Sequence, residues 1–209
     1  MSFIFADAQT HCIVDIVEDR RLSALKTYFS RFPLNERKKV KTITIDMYEP
    51  YISLIKTTFP NGKIIIDRFH IAQALNRALN IARVAAMNAI RYTNNPDYNK
   101  CKRYWKLVLK PIEYLELFHY KKVKLFKEWK TEKGIVGYIL SLDSKLDNTY
   151  QYVNKLRLCL KNNNYHTFIQ LLSTVNISSL HSRFKTVIRS LRKYSEYIKY
   201  TKELIIKSN

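Results

Sequence analysis

Two acidic side chains in this 209-residue chain combine type and spacing suited to a metal site, Asp46 and Asp67, and His70 stands beside the second as a supporting residue that is more often structural than a ligand. Each aspartate closes a short apolar run, Ile43-Thr44-Ile45 before Asp46 and Ile64-Ile65-Ile66 before Asp67. Carboxylate oxygens are hard donors that suit magnesium or manganese. Asp67 and His70 stand three residues apart at the opening of a helical pattern, so they project from one face of it. Two acids at one sheet edge of a strongly basic protein point to a metal site that works on a polyanion. Plainer readings stand beside this one. Asp46 is also placed to cap a helix opening near Pro50, with Glu49 three residues on as in a capping box. Asp67 is equally placed to accept a backbone N–H at the start of the next helix, with His70 in its first turn.

The elements that must position these groups lie within residues 43–86, which read as strand, helix, strand, long helix. Pro50 suits the first turn of the crossover helix, which packs through Leu54, Ile55 and Phe59. Pro60-Asn61-Gly62 marks the turn into the second strand. A strand, a crossover helix and a second strand of this length predict a parallel pair. Both aspartates then emerge at the carboxyl edge, where open α/β sheets place their ligands. From residue 68 to about 91 the pattern is helical. Phe69, Ala72, Leu75 and Leu79 form one side, continued by Ala82 and Ala86, and Arg77, Arg83 and Arg91 sit elsewhere on the cylinder.

Upstream, residues 2–6 and 12–17 read as an antiparallel hairpin, with Cys12, Val14 and Ile16 on one face and Ile13, Asp15 and Val17 on a partly buried other. Asp19 is expected to cap a helix whose stripe is Leu22, Leu25, Phe29 and Phe32, stopped by Pro33. Thr93-Asn94-Asn95-Pro96 places a domain boundary, giving an α/β part over 1–96 and an all-α part over 97–209. The second part reads as a helix over 98–109 containing Trp105, and broken pieces over 111–129 with Lys121, Lys122 and Lys124 exposed. One long helix over 134–160 follows, and then helices over 165–172 and 182–207. Trp105, Trp129 and the tyrosines suit either base stacking or core packing, and their helical spacing among leucines favours the core.

Charge is the unusual bulk property: 37 basic against 17 acidic residues, a net of +20. Residues 1–96 carry a net of +6 and residues 97–209 a net of +14. The second part is therefore the stronger footprint for a phosphate backbone, the alternative being a lysine-rich solvated surface. Arg68 at a helix N-terminus is a plausible phosphate contact, and Arg77, Arg83, Lys121, Lys122 and Lys124 join it as candidate DNA-binding residues. No segment pairs a basic face with a continuous apolar one, which argues against a membrane-surface role. Only 3 glycines argue against a turn-rich all-β fold, and 46% hydrophobic content against wholesale disorder. The cysteines Cys12, Cys101 and Cys159 form no CxxC, so neither a zinc knuckle nor a disulfide framework is expected. With no apolar run of membrane-spanning length, a reducing cytoplasm is the expected location.

Asp46, Tyr51, Phe59-Pro60 and above all Asp67-Arg68-Phe69-His70 carry a resemblance to the catalytic domain of bacterial ISL-three family insertion-sequence transposases, running from about Ser2 to the end of the chain. The resemblance implies a DDE enzyme with a ribonuclease-H-like core. Here that means a partial core of hairpin plus two parallel strands with helices, followed by a helical insertion. It implies DNA cutting and joining with Mg²⁺ or Mn²⁺, DNA as partner (transposon ends and target), and a homo-oligomer in the intact enzyme. By the same resemblance Asp46 is the second catalytic aspartate and a metal ligand, while Asp67 and His70 support the site. Departures matter equally. The family's first aspartate lies on a strand before the hairpin, and neither Asp7 nor Asp15 stands in its place. The family's glutamate sits in an Asn-Gly-rich stretch opening the final helix, and Glu196 and Glu203 lack that setting. The expectation is a chain truncated at both ends and inactive alone. Two alternatives remain: a non-catalytic basic DNA-binding module, and a metal-dependent nuclease of the same fold.

Overall fold

The computed structural model describes residues 2–199, and its strands pair as three separate two-stranded sheets. The first is the expected hairpin. β1 (Phe3–Ala6) runs antiparallel to β2 (Ile13–Val17), with Phe3 opposite Val17 and an irregularity between Phe5 and Ala6. Asp7 organises the turn by accepting the N–H groups of Gln9 and Thr10. The face carrying Phe3, Phe5 and Val17 packs on buried Leu25, Phe29 and Leu54, and Asp15 on that face accepts the Tyr28 hydroxyl. The opposite face looks to solvent, Val14 being 60% and Ile16 51% exposed.

Leu25 and Phe29 belong to α1 (Leu22–Ser30). Phe32 lies past its end and is exposed, so the expected stripe is one residue shorter. Asp19 does not cap this helix. Arg21 occupies the cap position, and Asp19 accepts that residue's N–H and guanidinium instead. A short helix α2 (Leu34–Arg37) follows Pro33.

The parallel pair forms as expected. β3 (Thr42–Ile45), α3 (Glu49–Thr58) and β4 (Lys63–Ile66) make the crossover unit, with Ile43 opposite Ile64 and Ile45 opposite Ile66. Ile64, Ile65 and Ile66 are all buried, the continuous apolar run that a covered parallel strand requires. A Cβ at Gly62 would lie 3.2 Å from the Ile43 side chain, so the turn into β4 is a close approach that favours glycine. The hairpin and the parallel pair share no ladder. The architecture is mixed α/β, with these strands in separate small sheets.

α4 (Arg68–Ala89) buries Ile71, Leu75, Ala78, Leu79 and Ala82. Phe69 is 63% exposed, so the buried stripe starts two residues later than the periodicity suggested. Backbone packing divides the described chain within this helix. Residues 2–70 with 196–199 form one unit, and Ile71–Ser195 the other.

The second unit contains α5 (Asn95–Arg103), α6 (Trp105–Leu109), β5 (Lys121–Val123), β6 (Glu128–Lys130), α7 (Glu132–Ser141), α8 (Ser144–Lys161), α9 (Tyr165–Thr174) and α10 (Ser182–Lys193); α11 (Ser195–Ile198) follows. The expectation of an all-α second part is overturned by β5 and β6, an antiparallel hairpin with Lys122 opposite Trp129. The helix expected over 98–109 breaks at Tyr104. The helix expected over 134–160 is two, because Asp143 turns extended and caps α8 by accepting the Leu146 N–H at 2.7 Å. An aspartate offered to a backbone N–H competes with helix continuation. Asn164 caps α9 in the same way, after Asn163 at φ 53 has ended α8. The core of this unit joins α7 to α10 through Ile139, Tyr150, Val153, Phe168, Phe184 and Ile188. The part of the expected final helix beyond residue 199 lies outside the described residues.

Candidate active site

The register of β3 and β4 carries directly into the site. Asp67 donates its N–H to the Ile45 carbonyl at 2.9 Å, so Asp46 and Asp67 leave adjacent strands side by side at one carboxyl edge. α4 starts one residue after Asp67 and brings His70 back over that edge. His70 Nε2 lies 2.6 Å from Asp46 Oδ1 and 3.8 Å from Asp67 Oδ2, an imidazole between two carboxylates.

The two aspartates do different work. Asp67 Oδ1 accepts the Phe69 N–H at 2.8 Å, so this side chain secures the start of α4. Asp46 does not cap a helix: the cap position of α3 is Tyr48, with no side-chain bond to the helix. Its carboxylate is instead aimed at His70, and the Asp46 side chain keeps 58% of its surface exposed. The arrangement presents one carboxylate, oriented by an imidazole, to solvent at a sheet edge.

Asp46 and Asp67 are the hard oxygen donors at this edge, of the kind that could hold magnesium or manganese. The described residues do not complete a two-ion centre, because no group of three or more His, Cys, Asp or Glu side chains among them is arranged to hold a metal. Asp7 is engaged in its own turn and Asp15 by Tyr28. Glu203 lies outside the described residues.

The candidate DNA contacts separate into groups. Arg68 and Arg77 are exposed on α4. Arg83 is 8% exposed, its Nε donating to Asn80 Oδ1 at 3.0 Å and its guanidinium lying 5.8 Å from the Trp105 ring. Burial pushes the Arg83 pKa down. Lys121, Lys122 and Lys124 stand together, all exposed, on the β5–β6 hairpin and its turn. Trp129, for which core packing was expected, is 65% exposed on that hairpin, and Trp105 is 38% exposed. Sequence periodicity missed the hairpin because Leu125 and Phe126 interrupt the alternation and no Gly or Asn marks its turn. The one available signal was the polar-apolar alternation on either side.

It also missed a polar cluster around buried Asp97 in the second unit. Asp97 accepts hydrogen bonds from Asn94 Nδ2 at 2.7 Å, Lys100 Nζ at 2.8 Å and the Tyr138 hydroxyl at 2.7 Å. Tyr138 lies 41 positions away in the chain, and no local pattern announces it.

Among the described residues no helix is long and apolar enough to cross a membrane. No curated protein and no solved structure matches the chain. A family model described as transposase, that of the ISL-three insertion sequences, matches residues 1–206. Asp46, Asp67 and His70 all lie within that match, which spans nearly the whole sequence, and the chain therefore belongs to the ISL-three transposase family.

Proposed function

We propose that the chain is the catalytic part of a DDE-type insertion-sequence transposase whose intact form cuts and joins DNA at element ends. The observation that carries this reading is the Asp46 carboxylate, which stands exposed at the carboxyl end of β3 beside Asp67 and is oriented by His70 rather than spent on a helix cap. In the intact form two Mg²⁺ or Mn²⁺ ions would stabilise the attacking and leaving oxygens of a phosphodiester. Within this chain Asp46 supplies one carboxylate, His70 holds it in place, and Asp67 fixes the helix that carries His70. Arg68, at the first turn of α4, is set to meet a phosphate.

In this proposal residues 1–96 are a partial ribonuclease-H-like core and residues 97–209 a basic insertion region. The two-ion centre needs acids that the described residues do not bring to Asp46, and the chain alone is proposed to be inactive. The intact enzyme acts as a homo-oligomer on transposon ends and target DNA.

Two measurements test the proposal. Mn²⁺ titrated into the purified chain should bind weakly, and Asp46→Ala should abolish that binding; equal binding by the variant would remove Asp46 from the metal site. Strand transfer on matching element ends by the 209-residue chain alone would refute its inactivity. A second reading, a DNA-binding module without chemistry, is favoured by the exposed lysines of the β5–β6 hairpin. It requires DNA binding that persists in EDTA, falls steeply with salt and ignores Asp46→Ala. Metal-dependent nicking by the chain alone, lost in Asp46→Ala, would instead identify a nuclease of the same fold.

A further inference from the structure

The β5–β6 hairpin has two unlike faces. Val123 and Phe126 point inward: both are buried, and the Phe126 ring meets Tyr138 edge-on at 5.0 Å and Tyr104 at 5.9 Å. Lys130 Nζ lies over the same ring at 5.2 Å. The outward face carries the directly opposed pair Lys122 and Trp129, the latter 65% exposed. Just ahead of β5, Phe118 is 86% and Tyr120 61% exposed.

These rings are displayed by ordered backbone. Glu116 Oε1 accepts the N–H groups of Leu117, Phe118 and His119 at 3.1, 3.1 and 3.3 Å, which holds Phe118 outward. The turn closes through the N–H groups of Phe126 and Lys127 on the Val123 carbonyl, with Lys127 at φ 58. A lysine kept in the left-handed region, where glycine is favoured, puts one more ammonium on the turn at a cost in backbone strain. Residues 117–130 hold five lysines and one acid, Glu128, which pairs with Lys130 at 3.2 Å. Lys122, Val123, Lys124 and Lys127 line a shallow recess of about 490 Å³.

Scattered exposed apolar side chains need no explanation. Three large exposed rings within twelve residues, on hydrogen-bonded backbone and interleaved with lysines, do. Stacking platforms beside phosphate-binding ammonium groups are the chemistry that grips unpaired nucleotides. A duplex hides its base faces and offers such rings nothing to stack on, whereas unpaired bases present theirs.

We propose that the outer face of this hairpin, Trp129 and Lys122 with flanking Phe118 and Tyr120, binds single-stranded DNA, the rings stacking on unpaired bases and the lysines holding phosphates. That the strand is DNA rests on the transposase reading; that it is unpaired rests on the hairpin itself.

The test uses the whole chain and labelled oligothymidine of about 20 nucleotides, long enough for one binding site of this kind, against a duplex of equal length. Binding is measured in EDTA at fixed salt. Oligothymidine should bind more tightly than duplex. Trp129→Ala should weaken it about tenfold or more, and Trp129→Phe about threefold or less, because a ring remains. Duplex binding should be unchanged in both variants. Lys122→Ala and Lys124→Ala should each lower the salt slope by about 0.7. In Trp105→Phe protein, the remaining Trp129 fluorescence should be quenched on binding. Equal losses on oligothymidine and duplex in Trp129→Ala, tighter binding of oligouridine, or equal competition by polyglutamate would each overturn the proposal. Asp46→Ala should leave oligothymidine binding intact, so failure at the acid edge and failure at the hairpin are read separately.

Discussion

The two units each contain an aspartate met by a cationic or cation-capable partner, and they differ in how completely that aspartate is satisfied. Asp97 in the second unit has a side chain only 10% exposed and takes hydrogen bonds from Asn94, Lys100 and Tyr138. Asp46 in the first unit has a side chain 58% exposed and, among the described residues, is oriented by His70 alone. A buried charge must be paired and hydrogen-bonded to be tolerated, so Asp97 is committed to holding α5 to α7. An exposed carboxylate with one partner keeps lone pairs open to a ligand. Saturation fits Asp97 to a structural role, and incompleteness leaves Asp46 open to the role proposed for it.

The sharpest way to break this contrast is by stability. Asp97→Ala should cost about 2–3 kcal/mol, measured by urea unfolding, because it leaves the partly buried Lys100 ammonium without its carboxylate. A loss close to zero would dissolve the distinction.

The pH dependence sharpens it next. Burial alone would raise the Asp97 carboxyl, but the hydrogen bonds from Lys100 and Tyr138 and the Lys100 charge outweigh it and hold the pKa below the ordinary 3.8. The stability from Asp97 is therefore complete above that value and disappears as pH falls through 3.8 towards the lower folded value. Lys100 behaves oppositely. Burial would lower its pKa, and the hydrogen bonds it donates to Asp97 and Tyr138 lift it above 10.5, so its contribution is complete below 10.5 and fades as pH rises past the folded value. Urea midpoints measured against pH should fall at both ends, and Asp97→Asn should flatten the acid limb.

A smaller effect belongs to Asp67. Asp67→Ala should cost about 1 kcal/mol through loss of the α4 cap, and Asp67→Asn only a few tenths, since asparagine caps equally well. Equal costs would show that its charge, not its cap, is what the edge needs. The smallest effect belongs to Asp46. Asp46→Ala should change stability by under about 0.5 kcal/mol, as expected of an exposed pair. A larger loss would make Asp46 a structural residue like Asp97.

Much of the acid edge was legible from the chain alone. Two apolar runs of strand length, a crossover helix opened by Pro50 and a turn at Pro60-Asn61-Gly62 leave one economical arrangement, a parallel pair with both aspartates at its carboxyl end, and β3 and β4 adopt it. The motif over Asp67-Arg68-Phe69-His70 carried the family. These features are local: period, caps and breakers act within a few residues, so they are written in adjacent letters.

Tertiary structure decided what depends on distant partners. Only the return of α4 over the edge shows that Asp46 meets His70, 24 positions on, rather than capping α3. Only packing against Tyr138 and Tyr104 makes Phe126 the inward anchor of a hairpin and leaves Trp129 outside, where helical spacing had suggested core. The same holds for Arg83, an arginine on a helix that sequence reads as surface and the fold buries. Residue type sets what a side chain is able to do, while exposure and partnership are properties of the surroundings, and these are assembled from positions far apart in the chain.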